Sequence, residues 1–83
     1  MSFTFDDLKR LLIERIGLSE DEVGDDQSGR FDEMDLDSLA FEEIQLALEN
    51  AYAFTISYED AQTITTLGEA VGYTNRRIAE KAS

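Results

Sequence analysis

The residue with the clearest chemical prospect in this chain is Ser38, within Asp37-Ser38-Leu39. It follows an intensely acidic loop and opens a segment whose apolar residues recur at helical spacing. A serine so placed offers an exposed hydroxyl beside helix N–H groups that can receive an anion. It lacks the partners needed to attack anything itself. The chain has no histidine and no cysteine, which removes serine–histidine pairs, thiolate chemistry, disulfides and the usual zinc ligands. No residue stands out as a tuned general base, and 83 residues leave little volume for a reaction pocket. The chemistry left to Ser38 is to be modified by another enzyme, so the chain is read as a non-catalytic substrate.

A second cluster, Asp25-Asp26-Gln27-Ser28-Gly29, invites a calcium reading. It lacks oxygen ligands at positions one, three and five, a glycine at six and a closing glutamate at twelve. An EF-hand is therefore rejected and no metal site is assigned; loose attraction of divalent cations to the carboxylates stays open.

Charge narrows the class of partner. Seven basic residues face nineteen acidic ones, for a net charge of −12. Between residues 16 and 75 fifteen acids stand against one base, Arg30. Such a field repels nucleic-acid phosphates and anionic lipid and favours partners with basic patches. No apolar run approaches membrane-spanning length, and Met1-Ser2-Phe3-Thr4 leads straight into an amphipathic segment, with no signal peptide. A cytoplasmic monomer is the expectation. The length fits one domain over residues 1–83, with a modest core and a stability of roughly 4–12 kcal/mol at typical per-residue values.

The elements that must position Ser38 read as a small all-α four-helix bundle, three main helices and one short, with a long first loop. Thr4 caps a first helix, with Asp7 in a capping-box relation. Phe5, Leu8, Leu12 and Ile16 form its apolar stripe, and Gly17 stops it. From Leu18 to Leu36 the apolar residues are scattered singly, which predicts a loop pinned onto the core and, at that length, functional or mobile. A second helix is expected from about Ser38 to Ala53. It carries more apolar surface than one narrow stripe requires, so part of it must face outward. Ile56-Ser57-Tyr58-Glu59-Asp60-Ala61 then suggests a turn and one short helix. Thr65 or Thr66 then caps the last, with Glu69 three residues beyond Thr66.

With these elements in place, Met34-Asp35-Leu36-Asp37-Ser38-Leu39 resembles the attachment motif of acyl carrier proteins. The similarity continues through Ala47-Leu48-Glu49, Ile56, Ala61 and Ile64-Thr65-Thr66-Leu67 to Tyr73 and Asn75, without a gap from Phe31 to about Ile78. The resemblance implies that a phosphopantetheinyl transferase, using coenzyme A and magnesium, converts Ser38 into a 4′-phosphopantetheine phosphodiester. The thiol of that arm would carry acyl groups as thioesters, which accounts for a chain with no cysteine of its own. Asp37 would serve as helix cap or as a handle for the transferase. Leu39 and Leu46 would form a partly exposed apolar spot for ketosynthase, acyltransferase and other synthase partners. Glu42, Glu43 and Glu49 would ring it, with Glu59 and Asp60 adding charge from the short third helix. Leu48, Ala61, Ile64, Leu67 and Val71 would contact a sheltered acyl chain.

The chain also departs from the family. Asp35 and Ser57 replace a common glycine and proline, and Glu42 and Gln45 replace apolar or small residues. The polar pair puts the depth of any acyl cavity in question. The Ala40-Phe41 pair and the short length lean towards a stand-alone polyketide carrier over a fatty-acid one. A peptidyl carrier fits less well, since such domains are less acidic around the serine. The competing class is a carrier-like acidic interaction module that is never modified.

Overall fold

The computed structural model describes residues 2–34 and 36–82; Asp35, whose charge was expected beside the site, lies outside them. The described residues form five α-helices and no strand: α1 (Phe5–Leu11), α2 (Glu20–Val23), α3 (Ser38–Tyr52), α4 (Tyr58–Thr63) and α5 (Leu67–Ala82). The all-α reading holds, with α1, α3 and α5 as the main helices and α4 as the short one.

Local chemistry explains most boundaries. Thr4 Oγ1 accepts from the Asp7 amide and Asp7 Oδ2 from the Thr4 amide, a complete capping box. Beyond Leu11 the helix widens to a π turn over Leu12–Ile16, in which the Leu12 carbonyl accepts from the Gly17 and Leu18 amides. Gly17 ends it at φ 94°, where a side chain would strain the backbone. Ser57, in place of the expected proline, caps α4 by accepting from the Asp60 amide. Thr66 and Glu69 form the reciprocal cap of α5, and the Glu69 carboxylate also accepts from the Thr65 amide and hydroxyl.

The expected long loop is less bare than its composition implied. Ser19 and Glu22 close a second capping box around the single turn of α2. This element was not anticipated, because one buried residue, Val23, makes no periodic stripe. Leu18, Val23 and Phe31 are buried and pin the segment to the core as expected. Its second half is strung along the start of α5. The Phe31 amide donates to the Thr65 carbonyl, and the Leu67 and Gly68 amides donate to the Gly29 and Gln27 carbonyls. The acids of this loop go to local tasks: Asp25 pairs with Lys9, and Asp26 accepts from Ser28. Among the described residues no three acids converge as metal ligands do, and no helix is long and apolar enough to cross a membrane.

The core joins all these elements. Leu8 and Leu12 from α1 and its π turn, Ile44 and Leu48 from α3, Ile64, and Leu67 and Ala70 from α5 are its buried centre. At one end Phe3 packs edge-on against Tyr52, and Asn75 grips the Phe3 backbone through both its amide and carbonyl, each at 2.7 Å. Two residues earlier on α5, the Tyr73 hydroxyl donates to Asp60 and accepts from Arg77.

Two glycines of α5 make opposite predictions. A Cβ on Gly72 would meet nothing within 4 Å, so Gly72→Ala is expected to gain about 0.5–1 kcal/mol through the unfolded chain's lost freedom. A Cβ on Gly68 would lie 3.1 Å from the Gln27 carbonyl oxygen, so Gly68→Ala should lose stability by prising the loop from the helix. Urea midpoints for the two variants check both signs.

The caps also set the acid response. Hydrogen bonds from Thr65, and further ones from Thr66, hold Glu69 below the usual carboxylate range. Backbone and side-chain hydrogen bonds from Thr4 do the same for Asp7. Lowered carboxyls contribute stability that is complete at neutral pH and is lost as pH falls through and below that range. Glu69→Gln should therefore be less stable than the parent at neutral pH, with the gap closing in acid. Urea midpoints across pH test this, and a gap of constant size would contradict it.

Candidate functional site

Asp37 is the residue that fixes the start of α3. Its backbone is extended (φ −89°, ψ 177°), and its Oδ1 accepts from the Ala40 amide at 2.7 Å. Its carbonyl accepts from Phe41. Ser38 is thereby the first helical residue, not the cap, and its side chain is freed from the task serines usually perform at that point. It is exposed, and among the described residues its hydroxyl has no hydrogen-bond partner. The Ser38 and Leu39 amides likewise have no acceptor among the described residues. Two unpaired N–H groups and the positive end of a 15-residue helix favour a negative group here.

Two depressions flank Ser38, with Phe41 shared between them. The first, of about 260 Å³, is walled by Phe31, Leu36, Phe41 and Ile64, with Arg30, Asp32, Asp37 and Thr65 joining Ser38 as its polar members. Phe31 meets Phe41 edge-on at 5.5 Å between ring centres. The second, of about 250 Å³, lies between α3 and α4 and includes Gln45, Tyr58, Ala61 and Gln62. Ile64 and Ala61, two of the five residues expected to meet an acyl chain, thus border different depressions. Leu48 and Leu67 are buried in the core, Val71 is half-buried against it, and these three line neither hollow. Gln45 stands in the α3–α4 groove, where its amide makes that route polar.

The expected partner-facing residues also divide. Asp37, Leu39, Glu42, Glu43 and Leu46 surround one shallow depression, with Leu39 72 % and Leu46 55 % exposed. Exposed leucines ringed by acids are an association surface in form. Ile16 joins them there. It packs half-buried against the core, as its place in the stripe of the first helix implied, and also borders this rim. Glu49 is not part of the ring: its carboxylate accepts from the Ile56 amide at 2.7 Å and braces the turn after α3. Glu59 is exposed on α4, whereas Asp60 is half-buried and engaged by Tyr73. Tyr58, 78 % exposed beside the second depression, was not foreseen as a surface residue. Its exposure and its nearness to Ser38, 20 positions away in sequence, come from the fold and left no local signal.

A family model described as the phosphopantetheine attachment site matches residues 6–74. The chain belongs to the acyl carrier protein family. Similar relatives include the acyl carrier protein of Chlamydia trachomatis serovar D, 33 % identical over 72 residues, which span 87 % of this chain and 92 % of the relative. The acyl carrier protein of Chlamydia muridarum is 32 % identical over the same shares. Acyl carrier proteins are carriers, not catalysts, and phosphopantetheine is the group they bind. The residues present here fit such a group. Ser38 supplies an exposed hydroxyl, the amides at the start of α3 would face an anion attached there, and two hollows, one mainly apolar and one with polar walls, lie on either side for what an arm would carry.

Proposed function

We propose that this chain receives 4′-phosphopantetheine on Ser38 from a phosphopantetheinyl transferase and presents thioester-bound acyl groups to partner synthases. The observation that carries this is the division of labour between neighbours: Asp37 caps α3, so the Ser38 hydroxyl next to it is left exposed and, among the described residues, unbonded. The arm, when present, supplies the thiol that a chain without cysteine lacks. What the protein contributes is presentation. The unpaired amides of α3 stabilise the phosphodiester, and the Leu39–Leu46 spot with Glu42 and Glu43 admits partners bearing basic patches. Contacts of that size and charge form fast and release readily, as a shuttle requires. The working form is a cytoplasmic monomer, a single domain over residues 1–83, with no nucleic-acid or membrane partner.

Polyketide assembly is the pathway we favour over fatty-acid synthesis. The polar residues Arg30, Gln45 and Gln62 around both hollows suit oxygen-bearing intermediates better than long saturated chains. Incubating the chain with coenzyme A, magnesium and a broad-specificity transferase tests the assignment by mass spectrometry. A gain of one phosphopantetheinyl group, absent in Ser38→Ala, is the expected result. No gain in a folded sample would instead make this an acidic interaction module.

A further inference from the structure

Arg30 is the one cation among residues 16–75, and it borders the apolar hollow beside Ser38. It comes from the backbone segment bridged to Thr66, across the hollow from α3, and the Phe31–Phe41 pair stands between the two walls. Ser38 and Arg30 line the same hollow, so a group tethered at Ser38 and lying in it meets both apolar side chains and the guanidinium.

The guanidinium is held by two parallel bonds to Asp32, Nε to Oδ1 and Nη2 to Oδ2, both 3.0 Å. Those two bonds leave three of its five donors over. The pair is open to water, with side-chain exposures of 49 % and 65 %, so its net contribution to folding is small. Arg30 is therefore oriented by Asp32 without being consumed by it.

We infer that Arg30 is a specificity-determining residue, donating to a carbonyl oxygen borne within the tethered acyl chain and so favouring 3-oxoacyl cargo over saturated cargo of equal length. This rests on Ser38 being the attachment point. A carbonyl suits the site better than a carboxylate does. An anionic cargo would enter a segment holding fifteen acids, whereas a neutral oxygen gains the charge-assisted bond without that repulsion. A saturated chain offers no acceptor and leaves the donors to solvent.

The test loads the full chain with butanoyl- or 3-oxobutanoyl-phosphopantetheine and measures thioester cleavage by hydroxylamine, normalised to the same thioesters on free pantetheine. The parent should protect the 3-oxo form about two- to tenfold more than the saturated form, the range of one net hydrogen bond. Arg30→Ala should bring the ratio to one, while Asp32→Asn, which releases the guanidinium, should keep or raise it. Circular dichroism establishes that both variants are folded. A carbon-13 label at the 3-oxo position should shift between parent and Arg30→Ala. A ratio of one in the parent, or an unchanged ratio in Arg30→Ala, overturns the inference while leaving the carrier reading intact. A phosphorus-31 shift in the unloaded arm on Arg30→Ala, with no change in the ratio, would place Arg30 on the phosphodiester and also overturn it. Failure to load at all would defeat both readings.

Discussion

Leu67→Ala should remove a large part of the stability of this chain. Leu67 is fully buried at the first turn of α5, and its Cδ1 lies where a side chain on Gly29 would touch it. It therefore joins the core to the loop that leads towards Ser38. Emptying such a position costs about 2–5 kcal/mol, because the loss of contacts adds to the loss of burial. Against a total of roughly 4–12 kcal/mol for a domain of this size, the loss leaves little margin. The melting temperature should fall by roughly 10–30 °C, and the urea midpoint should drop without a change in slope. A loss under about 1 kcal/mol would mean that the loop collapses onto the vacancy, and that the core is less tightly joined than the burial of Leu67 implies.

Leu46→Gln should have the opposite profile, with folding nearly unchanged and loading impaired. Leu46 is more than half exposed, and glutamine keeps its preference for helix, so the stability change should stay within about 0.5 kcal/mol. If partners seat an apolar contact on this spot, the transferase should lose about tenfold or more in kcat/KM, mostly through KM. Glu43→Gln should lose less, and its deficit should shrink as salt screens the remaining charge. Glu49→Gln separates the two kinds of acid: Glu49 braces the Ile56 amide, so its removal should lower stability more than it slows loading. Equal loading rates for the parent and Leu46→Gln would take the spot out of the docking surface.

Chemistry between near neighbours in the sequence was readable, and chemistry between distant ones was not. Thr4 with Asp7, Gly17, and Thr66 with Glu69 each act within four residues, and each marks a helix boundary where expected. Ser38 could be placed for the same reason, and its neighbour Asp37 is the cap, one of the two roles the resemblance implied for it. Ser19 with Glu22 carried an equally local signal. It was passed over because the turn it starts holds a single buried residue and shows no period. Glu49 and Asp60 look identical in sequence to the free acids Glu42 and Glu59. Only the fold brings the Ile56 amide to one and the Tyr73 hydroxyl to the other. Ile16 was legible as a core-packing residue from its helical spacing, but not as a member of the rim around Leu39 and Leu46, which only the fold brings to it. The hollow beside Ser38 depends on Phe31 and Ile64 meeting across 33 positions of chain, which no local pattern records.

The grip of Asn75 on Phe3 spans 72 positions of sequence. On the ribosome, Phe3 emerges long before α5, and the contact that fixes its backbone can form only once Asn75 has left the exit tunnel. A chain released short of that residue would be open to proteolysis, whereas a full-length one closes in a single late, cooperative event.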